Sequence, residues 1–244
     1  MISNMKIKKY VVIALWIVSL AISPVAEGKE PAADTVSPVE RGVSKWRFNW
    51  GPTASIDIFF PGKCTSTEGK DPSQIGYGCS AGVKGIYECN EKWYFESGLL
   101  LAFGYSPVDV RLEESSDYRA GYYSYDMQRG AIQLPIHIGY RFRLTDEYSL
   151  RLSAGTQLSY GFAGSFDYDG EKSLPKYDLY GSNGVWKRFG ADAVVGLHFD
   201  LNNLSVGING NFGVTQMAKR EIFSSHTMNE SECRIDFTYW FGSR

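Results

Sequence analysis

The chain has 244 residues, room for one domain or two, and its net charge of −2 with no block of Lys and Arg offers no grip for nucleic acid. A mean hydropathy of −0.24 would conceal any membrane protein whose strands alternate polar with apolar residues. The 15% aromatic content, with 16 Tyr, is the more informative figure.

Lys6, Lys8 and Lys9 precede an apolar run from Tyr10 to Ile22 and a small-x-small site at Ala26 to Gly28. That order predicts a secretory signal peptide over residues 1–28, cleaved before Lys29, with Met5 as an alternative initiator. The apolar run is too short for a comfortable membrane helix, and no later stretch could span a bilayer as one. Residues 29–44, polar with Pro31 and Pro38, read as a flexible periplasmic leader, in which Asp34-Thr35-Val36 resembles a short O-glycosylation acceptor.

Residues 45–244 are a succession of period-two segments. In order they are Trp46–Phe60, Gly76–Cys89, Trp93–Ser106, two within Gly130–Phe162, then Val185–Phe199, Leu204–Gln216 and Glu232–Phe241. The fourth sets Ile132, Leu134, Ile136 and Ile138 against Gln133, Pro135, His137 and Gly139; the fifth restarts the pattern after Thr145, Asp146 and Glu147. Alternation of this length exceeds the roughly five or six residues of a soluble strand and suits a tilted membrane strand of about nine to eleven. The polar parity is also glycine-rich, with Gly78, Gly82, Gly98, Gly104, Gly196 and Gly207 among others, which fits a cramped lumen better than a hydrated surface. A soluble lipocalin-like ligand-binding barrel would alternate in the opposite sense.

Connections after the second, fourth and sixth segments are short (Asn90–Lys92, Thr145–Glu147, Asp200–Asn203), whereas Pro61–Ile75, Pro107–Gly130, Ala163–Gly184 and Met217–Ser231 are long. The expectation is an all-β fold, an eight-stranded antiparallel up-and-down transmembrane β-barrel with short periplasmic turns and long outer loops. Its location would be the outer membrane of a Gram-negative bacterium. Trp46, Trp93, Phe142, Tyr148, Phe199, Trp240 and Phe241 are expected to form a girdle at the periplasmic rim.

Leu134-Pro135-Ile136 running into Gly139-Tyr140-Arg141-Phe142, the Gly98-Leu99 start to the third segment, and the final aromatic strand resemble the PorT-like outer-membrane β-barrel family, known chiefly from Bacteroidetes. The resemblance covers Trp46 to Phe241, with Gln133 where the family commonly has an acidic residue. It implies a barrel and no particular activity, since the family spans many roles.

On the lumen parity, Lys84, Glu96, Arg141, Arg151, Asp192, Arg234 and Asp236 are expected to form a polar network filling the interior, because eight strands leave width only for side chains and buried charge needs a partner. A narrow pore is the alternative. There is no nucleophile elbow, HExxH or phosphate loop, and His137, His198 and His226 lack spaced partners, so no enzyme activity, metal or cofactor is expected. A lipid-modifying barrel enzyme stays open. Asp167 to Asp178 departs from a calcium loop at Gly170, Lys172 and Pro175. Cys64, Cys79, Cys89 and Cys233 have no metal spacing, and a disulfide between Cys64 and Cys79 would pin the first outer loop. Outer loops rich in Tyr, with Tyr118, Tyr122, Tyr123 and Tyr125 in one and Tyr168, Tyr177 and Tyr180 in the next, offer contact surface. Expected partners are outer-membrane lipid and lipopolysaccharide, and a protein or glycan at the outer loops. The function expected is structural or loop-mediated interaction, with a transport or secretion accessory role as the second reading.

Overall fold

The computed structural model describes residues 47–60, 75–112, 121–145, 147–168, 177–182, 184–217 and 229–241. The expected signal peptide and leader, Trp46, Cys64, Tyr118, His226 and most of the Asp167 to Asp178 segment lie outside them. Alternation becomes strands β1 (Arg47–Phe60), β2 (Gly76–Glu88), β3 (Trp93–Leu112), β4 (Gly121–Arg143), β5 (Tyr148–Tyr168), β6 (Tyr177–Asp178), β7 (Phe189–Leu201), β8 (Leu204–Gly213) and β9 (Ser231–Tyr239). β6 is a two-residue strip against β5; the other eight pair in the order β4-β3-β2-β1-β9-β8-β7-β5, and β4 with β5 closes the ring.

Every barrel pairing is antiparallel, and the ends of the chain close the seam through β1 and β9, Thr53 opposite Thr238 and Ile56 opposite Ile235. The short turns are built by local chemistry. Asn90 accepts through Oδ1 from the backbone N–H groups of Lys92 (2.9 Å) and Trp93 (2.8 Å), and Thr145 Oγ1 accepts from those of Glu147 (3.2 Å) and Tyr148 (3.1 Å). Between β7 and β8 the link is Asn202 and Asn203, with Asn202 at φ 49°, a left-handed position that Asn tolerates.

One face of the ring is a belt of exposed apolar side chains, among them Ile56, Val83, Leu99, Leu101, Leu152, Val195 and Ile208. A soluble barrel would bury these residues; here they meet acyl chains. The opposite parity is buried and polar, carrying Asp57, Lys84, Glu96, Arg151, Arg234 and Asp236. Glycine on that parity admits large neighbours: a Cβ on Gly207 would come within 2.2 Å of the His198 ring and 2.3 Å of the Asp236 carboxylate.

β3, β4 and β5 run well past the other strands and form a tower beyond the outer rim. The segment from Pro107 to Gly130, expected as a loop, is instead largely a hairpin, pairing Pro107 with Asp126 through to Leu112 with Gly121. Its polarity is inverted. Within the bilayer the inward side chains of β4 are polar and the outward ones apolar; above it the inward Tyr125 and Met127 are buried, while Ser124 faces out and is exposed. The outer surface there meets water while the interior stays dry, so the same pleat needs the opposite pattern. A bulge contributes to the switch: the register of β4 and β5 shifts between Gly130 and Ala131, skipping Phe162. Phe162 stays outward and 41% exposed, and beyond it Gly164, Phe166 and Tyr168 take the inward parity.

Two further expectations are corrected. Trp240 is not a girdle residue: it turns into the lumen at 1% exposure, against Ile86 and Tyr94. Val185 does not open a strand; it and Trp186 pack inside the tower, and β7 starts at Phe189. Trp93, Phe142, Tyr148, Phe199 and Phe241 do lie outward at the periplasmic rim.

Because Leu99 lies on the lipid belt between the periplasmic rim at Trp93 and the outer rim at Tyr105, Leu99→Arg should lower folding stability in lipid vesicles by about 2–4 kcal/mol, and Tyr87→Arg near the rim by markedly less. Denaturant titration of the refolded barrel checks both.

Candidate functional site

The inward parity of all eight barrel strands converges on one ionic network. Arg151 on β5 donates from Nη1 to Glu96 on β3 (2.8 Å), from Nε to Asp200 on β7 (2.9 Å) and from Nη2 to Ser205 on β8 (2.9 Å). Lys84 on β2 donates to Asp236 on β9, and its ammonium stands 3.4 Å from Glu96. Arg234 on β9 donates from Nε to Asp57 on β1 (2.9 Å), and from its two Nη atoms to Gln157 (2.8 Å) and Gln133 (2.7 Å), with Glu232 2.6 Å away. Asn209 donates to Asp236 (2.9 Å), Ser149 to Asp200 (2.9 Å) and Ser55 to Asp57 (2.6 Å).

Of the sequence-predicted lumen residues, the structure brings Lys84, Glu96, Arg151, Arg234 and Asp236 together. Arg141 stands apart, donating to Glu88 at the periplasmic rim (2.6 Å). Asp192 lies above the network, on a small cavity of about 40 Å³ that Arg129, Tyr180, Glu230 and Glu232 also line. The sequence pattern puts Asp200 in a turn and Arg129 and Glu230 in loops, whereas Asp200 is fully buried in β7, and Arg129 pairs with Glu230 across the mouth. Parity would have found Asp200, two residues on from His198; nothing local marks the Arg129–Glu230 pair.

Apolar layers close the network at both ends. Below it, Ile86, Tyr94 and Trp240 form a floor, and the Arg151 guanidinium lies 5.1 Å from the Tyr94 ring centroid and 5.5 Å from that of Trp240. Above it, Val108, Tyr125, Met127, Phe166, Leu179, Val185 and Trp186 form a cap, with Tyr125 stacked on Phe166 at 4.8 Å and an interplanar angle of 5°. Leu179 enters over Gly164, and Tyr180 over Gly161, where a Cβ would meet them at 2.2 Å in each case. Arg188 lies over the Tyr180 ring at 5.3 Å, and burial pushes the Tyr180 phenol above its ordinary pKa, keeping it neutral in the cap.

The arrangement holds its charges in a closely packed interior, where His198 Nδ1 stands 3.9 Å from Asp236 Oδ1. Neither ring nitrogen of His137 has a hydrogen-bond partner among the described residues. No group of three or more His, Cys, Asp or Glu among them could hold a metal ion. Cys79 lies on the lipid-facing parity opposite Ile56 and Phe103; its expected partner Cys64 is outside the described residues.

The family model of the outer membrane protein β-barrel domain matches residues 40–219. The chain belongs to that family. It is an outer-membrane protein, with the short turns periplasmic and the tower outside. Among solved structures, this outer-membrane barrel is similar to Ail, the attachment invasion locus protein of Yersinia pestis (14% identity, 79% of this chain and 98% of that chain, TM-score 0.36), a protein also solved in complex with the heparin analogue sucrose octasulfate. It is also similar to Neisserial surface protein A (14% identity, 79% and 97%, TM-score 0.38) and to the N-terminal β-barrel domain of Pseudomonas aeruginosa OprF (12% identity, 78% and 97%, TM-score 0.26). No curated protein matches it in sequence.

Removing one member of a buried pair leaves its partners uncompensated, which costs about 3–5 kcal/mol. Arg151→Met should therefore destabilise the outer-membrane barrel by about that amount in denaturant titration, Arg141→Met at the rim by less, and adding Glu96→Gln with Asp200→Asn to Arg151→Met should recover part of the loss.

Proposed function

We propose that this outer-membrane barrel is a non-enzymatic anchor that presents a rigid binding face at the cell surface. The observation that carries the reading is the layered lumen: an ionic network between an apolar floor and an apolar cap, with His137 and His198 buried among the described side chains. A closed centre favours neither chemistry nor transport, and among the described residues the part that reaches outside is the tower.

Tower geometry supports the same reading. Three strands stand beyond the rim, fastened from inside by the Tyr123–Tyr168 (5.9 Å), Tyr125–Tyr168 (5.5 Å) and Tyr125–Phe166 ring contacts. Beyond the rim their outward positions carry Ser124, Asp126 and Asp167, a hydrated surface on a stiff frame. A rigid face loses little entropy on binding, which favours recognition of a protein or glycan partner. The Leu134-Pro135-Ile136 stretch supports a PorT-like placement within the family.

The test uses the purified full-length barrel. Incubation with labelled lipopolysaccharide and phospholipid should release no acyl chain; a released product would contradict the reading. Replacing the outward Ser124 and Asp167 together by Lys should leave a barrel whose gel mobility still shifts on boiling, while abolishing binding to protein and glycan arrays. Retained binding by this folded variant would place recognition elsewhere.

A further inference from the structure

Near the outer rim of the lipid-facing wall, two adjacent register rows across β2 to β5 combine small residues with flanking aromatic rings. One row reads Tyr77, Tyr105, Gln128 and Ser165; the next, toward the membrane, reads Cys79, Phe103, Gly130 and Ala163. Small side chains at Cys79, Gly130, Ala163 and Ser165 leave a cavity of about 310 Å³. That volume reaches the lower end of the range for small-ligand sites, about 300–1,000 Å³.

The walls are aromatic and held in place. Tyr77 and Tyr105 pack at a ring-centroid distance of 5.3 Å, and Phe103 meets Phe162 edge-on at 6.2 Å. Tyr105 donates its hydroxyl to Asp126 (2.6 Å), which fixes the ring. A Cβ on Gly130 would come within 2.9 Å of Phe162 and 3.4 Å of Phe103, so the floor is as low as a strand allows and rings close over its edge. The bulge beside Gly130 bends the wall at the same place.

Height identifies the occupant. Trp93 and Tyr105 are 12 positions apart on β3, and a tilted strand crosses the hydrocarbon in about nine to eleven residues. With Trp93 at the periplasmic rim, the Phe103 row of the notch closes the hydrocarbon span and the Tyr105 row stands at the outer interface, so the notch opens where acyl chains of the outer leaflet begin. We propose that this notch seats one acyl chain of an outer-leaflet lipopolysaccharide molecule. A partner subunit would need a face of about 800 Å², far broader than this ring-walled slot.

The experiment is native mass spectrometry of the full-length barrel extracted from outer membranes in mild detergent. The wild type should retain one lipopolysaccharide per chain. Ala163→Trp, at an exposed lipid-facing position, fills the notch and should lower the retained fraction about tenfold; Ser165→Trp fills the other row and should act alike. Ala193→Trp, on the lipid face of β7 away from the notch, should retain the wild-type fraction. Boiling-dependent gel mobility identifies variants that fold. Absence of lipopolysaccharide on the wild type, a phospholipid or a second copy of the chain in its place, or equal retention by folded Ala163→Trp and Ser165→Trp would each overturn the proposal.

Discussion

At bilayer depth there is no water to satisfy a backbone N–H or C=O, so a sheet can cross only if it closes on itself. Here β4 meets β5 and β1 meets β9, and the rest of the structure follows from those closures. Eight strands leave a bore only as wide as side chains. Whatever the inward parity carries must then find partners inside it, and the network around Arg151, Lys84 and Arg234 is that solution. A guanidinium with donors in a fixed fork can hold several strands at once, as Arg151 does with Glu96, Asp200 and Ser205. Isolated burial of the same charges would be prohibitive.

The interior is not uniform along the axis. Charges occupy the part surrounded by lipid, and apolar side chains occupy its two ends, the floor at Trp240 and the cap at Tyr125 and Phe166. At the outer end, water outside the tower lets polar residues face outward, which frees the inward parity to be aromatic. The layers also separate two roles: the charged middle fixes the barrel, and the ring ladder stiffens what projects from the cell. At the outer interface the wall thins to Gly130, Ala163 and Cys79, and the rings of Tyr77, Phe103 and Tyr105 flank the recess they leave.

How much was legible in the sequence depends on which solvent each strand meets. In the bilayer the rule is simple, and the Ile132 to Phe142 alternation revealed the strand, its outward face and the inward positions of Lys84, Glu96, Arg151, Arg234 and Asp236. The short turns were legible from Asn90 and Thr145. The tower was not, because Tyr123, Tyr125 and Met127 alternate in the inverse sense and resemble a Tyr-rich loop when membrane polarity is assumed throughout. A bulge that skips Phe162 leaves no compositional trace. Trp240 misled because a terminal tryptophan suits an interface as well as a lumen floor, and only the packing of Ile86 and Tyr94 decides between them. Arg141 shares the lumen parity but sits at the rim, beside Glu88, and parity carries no information on depth.

Single-channel recording of the purified protein in planar bilayers tests most directly the proposed closure of the lumen by its own side chains. The layered interior predicts a quiet baseline with no stable open level at any applied voltage the bilayer tolerates. A reproducible conductance step from folded wild-type protein would contradict it, and would mean that the floor at Trp240 and the cap at Tyr125 part to let ions through.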